Sequence, residues 1–201
     1  RQINIGAHGQ ALPVIYGRDT IGGMLAGWVV SGNVLYVRML WCHGECEQIV
    51  GVTVNGEADP AGITRTDYLG AAGQGIDPWL QAAYVARGLA YTDTLPGVCY
   101  SVLRVPATAL DAFPEAQADI KGLKVRSMAG GSRAWSDCPA YCVADFVEND
   151  VYGMGGSINW SDVATVAAAN NATVGGVARR TINLSMLEQR YVEDWLDVLC
   201  E

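Results

Sequence analysis

Residues 21–41 read IGGMLAGWVVSGNVLYVRMLW, and this stretch decides the fold class. Two runs of aliphatic, β-branched and aromatic residues flank Ser31-Gly32-Asn33, which has the composition of a tight turn. The spacing predicts a β-hairpin with strands over residues 21–30 and 34–41. The return strand has little polar alternation, which predicts that both of its faces are covered. Gly, Asn and Arg interrupt the stretch before it reaches the ~20 apolar residues of a membrane helix, so no stable membrane insertion is expected.

Outward from the hairpin, Gln48 to Val54 reads as a third antiparallel strand closed by an Asn55-Gly56 turn. Residues 59–81, rich in Gly and Asp, read as a long loop. Strands resume over residues 83–91 and 98–105. A second loop spans 106–120, a short strand covers 123–126, and Ala129-Gly130-Gly131-Ser132 forms a flexible joint. Beyond the joint the periodicity changes from two to 3.6. Pro139, Cys142, Val143, Phe146 and Val147 form one face of a helix, with Asp145 and Glu148 opposite. A second helix starts at Ser161-Asp162 with Val163, Val166 and Ala167 inward, and a strand follows over 180–184. Ser185-x-x-Glu188 has capping-box spacing ahead of a final helix striped by Tyr191, Val192, Trp195, Leu196 and Leu199. The expected class is α+β: a barrel-like antiparallel β domain over residues 1–128, then a small helical part with one strand over 129–201. The start at Arg1, without Met, and the lack of a stop signal at Glu201 read as part of a longer polypeptide.

Composition limits what such a domain does. Of 201 residues, 50% are apolar and 17% charged, which excludes a disordered chain. A net charge of −8 and an isoelectric point near 4.7 oppose phosphate-backbone binding, so no sequence-specific nucleic-acid partner is expected.

Chemistry-bearing residues are few. Cys42/Cys46 and Cys138/Cys142 are Cys-x-x-x-Cys pairs, and four thiolates suit a structural zinc. Cys142 falls on an apolar helix stripe and Cys42 ends a buried strand, so small buried hydrophobes are the preferred reading over zinc or a disulfide. Glu45 with Glu47, or Asp67 with Asp77, would supply the paired acids of a glycosidase, but acids at turns are more often solvated. The two histidines, His8 and His43, stand in no nucleophile arrangement. Gly153-Met154-Gly155-Gly156 follows a helix and reads as its C-terminal cap rather than a phosphate cradle. Trp41 and Trp195 read as core, and Trp28, Trp79, Trp135 and Trp160 as surface anchors. No catalytic residue, cofactor or metal is expected.

Taken in order, four segments carry a resemblance. They are Ala11-Leu12-Pro13-Val14-Ile15-Tyr16-Gly17-Arg18 with Ile21-Gly22-Gly23; Leu40-Trp41-Cys42-His43-Gly44-Glu45 leading to Val52-x-Val54-Asn55-Gly56; Pro139-Ala140-Tyr141 through Asp145-Phe146 and Asn149 to Tyr152-Gly153-x-Gly155; and the stretch from Arg180 to Trp195-Leu196. Together they resemble the tip-attachment or central hub proteins of long-tailed bacteriophages, the family that includes the host-specificity protein of phage lambda. Cys138 and Cys46 depart from that pattern, standing where a capping residue and an aliphatic residue are usual. The resemblance marks Pro13, Tyr16, Gly17, Cys42, Gly44, Glu45, Pro139, Asp145, Tyr152, Gly153 and Gly155 as structural motif residues.

It implies a structural, non-enzymatic component of a phage tail tip or baseplate hub, made in the host cytoplasm and resident in the virion. Such a component closes the tail tube and takes part in host attachment and genome ejection. The implied partners are other copies in a homotrimer, the distal tail protein and other tail-tip proteins, and the tape-measure protein. Two alternatives stand beside it: a tail-associated cell-wall hydrolase using Glu45 or Glu47, and a carbohydrate-binding module using Trp79, Trp135 or Trp160.

Overall fold

The computed structural model describes residues 11–109, 113–187 and 191–200. In chain order the elements are β1 (Val14–Tyr16), β2 (Arg18–Gly22), β3 (Met24–Ser31), β4 (Val34–His43), β5 (Cys46–Val54), β6 (Glu57–Ala58), β7 (Thr64–Leu69), α1 (Pro78–Val85), β8 (Val98–Pro106) and β9 (Ala116–Arg126). There follow β10 (Arg133–Trp135), α2 (Pro139–Glu148), α3 (Trp160–Asn171), β11 (Thr173–Val174), β12 (Val177–Ala178), β13 (Leu184–Met186) and α4 (Val192–Cys200). They fall into two compact units. The first holds Thr20–Ile120 with the residues before Pro13, the second Pro13–Asp19 and the chain from Lys121 on.

The first unit is organised by the hairpin. β3 and β4 pair antiparallel from Met24↔Leu40 to Ser31↔Val34, around the turn at Gly32-Asn33. The sheet continues in the order β3-β4-β8-β7. β4 is therefore an inner strand, and Val37, Met39, Leu40, Trp41 and Cys42 on it are all buried, as its lack of alternation requires. On one face Val29, Leu40, Tyr100 and Val102 pack with Leu80 and Ala83 of α1 and with Tyr91. The Tyr68 and Tyr100 rings stack there, 4.5 Å between centroids. Elsewhere in the sheet Trp41 donates its indole N–H to Ser101 Oγ at 2.8 Å, and Ser101 donates to Asp67 Oδ1 at 2.6 Å.

Several expectations are corrected here. β5 is not the third strand of the hairpin sheet: β4 takes β8 on its free edge, and β5 belongs to a second sheet, ordered β10-β9-β5-β6 with β2 also on β9. The four-stranded sheet is open rather than closed as a barrel. The presumed loop over 59–81 contains β7 and the start of α1. The presumed strand over 83–91 is the end of that helix and the turn after it. The helix forms because Asp77 accepts the Leu80 N–H at 2.7 Å as N-cap and Pro78 occupies the first turn. The presumed loop over 106–120 is shortened by β9, which begins at Ala116.

In the second unit β1 pairs antiparallel with β13 and β9 with β10. The core joins Val14, Tyr16, Leu123, Val125, Cys142, Phe146, Met186, Trp195 and Leu199. Residues 129–178 hold α2, α3 and three short strands, so with β13 the described residues of this part carry four strands where one was expected. The Gly130-Gly131 joint is a turn between β9 and β10. β13 covers 184–186 rather than 180–184. Ser185 lies in it, and its capping partner Glu188 is outside the described residues. In α3 Ala167 is buried, but Val166 faces solvent at 52% exposure. No helix among the described residues is long and apolar enough to cross a membrane.

Candidate functional site

The motif residues of the second unit converge on one carboxylate. Asp145, fourth from last in α2 before Phe146, Val147 and Glu148, was expected on the polar face and is instead buried. It accepts the Tyr16 hydroxyl at 3.0 Å and the Tyr152 hydroxyl at 2.6 Å on Oδ2, and Arg133 Nη1 at 2.9 Å on Oδ1. A buried carboxylate is tolerable only when paired and hydrogen-bonded, and these three donors satisfy that condition. Burial first, and then the negative charge of Asp145 and the neighbouring phenol, push the Tyr16 hydroxyl well above the usual tyrosine range. Tyr152 is pushed up by burial and Asp145, with Arg133 opposing. Both phenols are thus neutral donors, and the cluster joins β1, β10, α2 and the loop after α2.

The glycines of the two motifs are fixed by close approach. A methyl group on Gly17, whose φ is +73°, would stand 1.9 Å from the Ile182 carbonyl oxygen; one on Gly153 would stand 1.8 Å from that of Phe146. The Gly153-to-Gly156 loop closes α2. Met154 N–H donates to Phe146 O, Gly155 to Asn149 O and Gly156 to Val147 O. Trp135 donates its indole N–H to the Gly17 carbonyl at 3.1 Å, with Lys121 Nζ over its ring. Pro13 is buried at the entry to β1, and Pro139 opens α2 behind Cys138, which makes no side-chain cap.

Sequence reasoning missed Arg133 and read Trp135 as a surface anchor rather than as a donor to the Gly17 carbonyl. Their roles follow from the β9–β10 register, in which Arg133 faces Arg126 and Trp135 faces Lys124. A joint followed by a three-residue strand carries no periodic signal for that pairing.

In the first unit Cys42 is the next-to-last residue of β4, Glu45 is half-buried, and Gly44 donates its N–H to Gly97 O at 2.7 Å. Cys42, Cys46 and Cys99 are fully buried, with their sulfurs within 4.8 Å of one another. Cys138 and Cys142 belong to the second unit and do not join this group. Contacts with the Cys46 and Cys99 thiols, and then burial, hold Cys42 well above the usual thiol range; at Cys99 the contact with Cys42 lowers it, but Cys46 and burial together raise it well above that range. Asp67 and Asp77 are not solvated turn acids. Asp67 accepts from Ser101 and Arg65, and Asp77 caps α1 and accepts the Tyr68 hydroxyl at 3.2 Å. His8 lies outside the described residues, and His43 is half-buried, which lowers its pKa.

Trp41 and Trp195 are core; Trp28 and Trp79 are 55% and 57% exposed. Trp135 and Trp160 are half-buried, Trp160 donating to Glu148 Oε1. A groove of about 760 Å³ lies among α2, α3, the 179–182 segment and α4. It is lined mainly by apolar side chains such as Val143, Val163 and Val198, with Asp162, Arg179 and Arg180 also on its walls.

No family model matches the chain, and no curated protein does. Among solved structures it is similar to a chain of "Virion of native gene transfer agent (GTA) particle", with a TM-score of 0.52 and 19% identity. The alignment covers 61% of this chain and 29% of that one, so less than a third of the neighbour is represented. At this identity the likeness shows a common fold.

Proposed function

We propose that the protein is a structural component of a phage-like virion, a section of the tail-tip or baseplate hub that closes the tail tube and carries receptor-binding parts. The fold it has in common with a chain of the gene transfer agent virion carries this reading.

The polar network agrees with it. The carboxylates drawn into the interior, Asp77 and Asp145, cap a helix and tie motif segments together, which are structural tasks. Exposed Trp28, Trp79, Val85, Leu89 and Val151 supply the apolar contacts that an assembly protein needs. A net charge of −8 keeps a tube wall from holding DNA as it passes. No reaction is assigned to the chain.

Hubs of this kind are ring-forming, and we assign a homotrimer. Light scattering of the purified chain, across a concentration series, tests this. The expected limiting mass is about three times 21.4 kDa; a monomer throughout removes the trimer.

A further inference from the structure

We propose that Cys42, Cys46 and Cys99 form a soft-metal site that binds one Zn(II) per chain through three thiolate sulfurs. The proposal is independent of the virion reading.

Three strands deliver the ligands. Cys42 on β4 and Cys99 on β8 are directly opposed across the antiparallel pair, just past a bulge in the register at Leu40/Cys42. Cys46 opens β5 on the far side of the Gly44 turn. That turn is held in place by a relay of backbone bonds, Gly44 N–H to Gly97 O at 2.7 Å and Gly97 N–H to Gly70 O at 3.1 Å. The turn between Cys42 and Cys46 is therefore held by backbone bonds that do not involve an ion.

The sulfurs of Cys42 and Cys46 are 3.1 Å apart, and all three lie within 4.8 Å of one another. Tetrahedral zinc with Zn–S bonds of about 2.3 Å sets its sulfurs roughly 3.8 Å apart, so shifts of about an ångström seat the ion. The three sulfurs fill three of the four positions, leaving one for a donor outside the group.

Three thiols also pack acceptably as small hydrophobes, and that is the competing account. It does not call for three sulfurs from three strands to meet at one point. Binding exchanges three S–H protons for the cation and releases them to solvent, leaving one net negative charge where three separate thiolates would be untenable. All three residues are buried, so the ion is taken up as the unit folds.

The test uses the full chain, unfolded and refolded under a non-thiol reductant with either Zn(II) or the spectroscopic probe Cd(II), then freed of excess metal. The expected result is one metal per chain, a sulfur-to-cadmium charge-transfer absorption of three-thiolate intensity, and a higher melting temperature than the metal-free protein. Cys46→Ala and Cys99→Ala weaken binding by roughly 100-fold or more, whereas Cys138→Ala retains it. Wild-type protein that refolds without retaining metal overturns the site, and that readout does not depend on any variant folding. Equal retention by the Cys46 and Cys99 variants also overturns it. So does loss of two thiols to a reductant-reversible disulfide in place of metal uptake.

Discussion

Asp145 receives donors from three separate places in the sequence, Tyr16, Arg133 and Tyr152, and so holds the second unit together through one side chain. Asp145→Ala leaves the buried Tyr16 hydroxyl without its acceptor. It is expected to cost roughly 3 kcal/mol, with Arg133 contributing little because its side chain is 40% exposed. Tyr152→Phe, which removes one donor, is expected to cost about 1 kcal/mol. Urea denaturation of the two variants against the parent measures both. The raised Tyr16 and Tyr152 phenols set a pH dependence with a definite sign. In the unfolded chain they lose protons near pH ~10, but in the folded chain only well above it. Their contribution is complete below about pH 10 and is lost as the pH rises beyond it. Denaturation midpoints taken from about pH 8 to about pH 11 should fall at the alkaline end, less steeply in Tyr152→Phe. At this scale the sequence was partly legible. The resemblance to the hub family marked Tyr16, Asp145 and Tyr152, yet helical periodicity placed Asp145 on the solvent side, because a pattern of apolar positions has no way to register a buried acid with three donors.

Elements with strong local signals read correctly, and those defined by distant pairing did not. The β3–β4 hairpin and α2 follow from a turn tripeptide and a 3.6-residue stripe. The stripe's Cys142 and Phe146 are buried, and both faces of β4 are covered as its composition required. By contrast β5, a good strand by composition, was assigned to the wrong neighbour, since strand order is set by long-range contacts that β8 wins. α1 was missed for another reason. Asp77-Pro78 is a helix start, but the glycines just before it made the whole segment read as loop. Asp77 satisfies the Leu80 N–H and the Tyr68 hydroxyl together. Asp77→Ala is therefore expected to lower the stability of the first unit by about 2 kcal/mol, at the upper end for a lost N-cap. Amide exchange over residues 78–85 should accelerate in the variant more than exchange in β4 or β8. Unchanged protection of α1 would show that packing alone holds the helix.

At the scale of the molecule, two compact units are present, and the motif that spans the chain is concentrated in the second. Its opening segment, Pro13–Asp19, is separated from the rest of that unit by a hundred residues of the first. No periodicity reveals such an arrangement. The expected division into 1–128 and 129–201 placed this segment with the β domain, and the likeness to a gene transfer agent virion chain shows a common fold. Place in the particle is the central claim, and immunogold electron microscopy tests it directly. Antibodies against this chain are applied to phage-like particles induced from the source cells. The account predicts gold at the distal end of the tail in intact particles. Gold on the head or along the tail shaft, or particles that carry none of the chain by mass spectrometry, would contradict it.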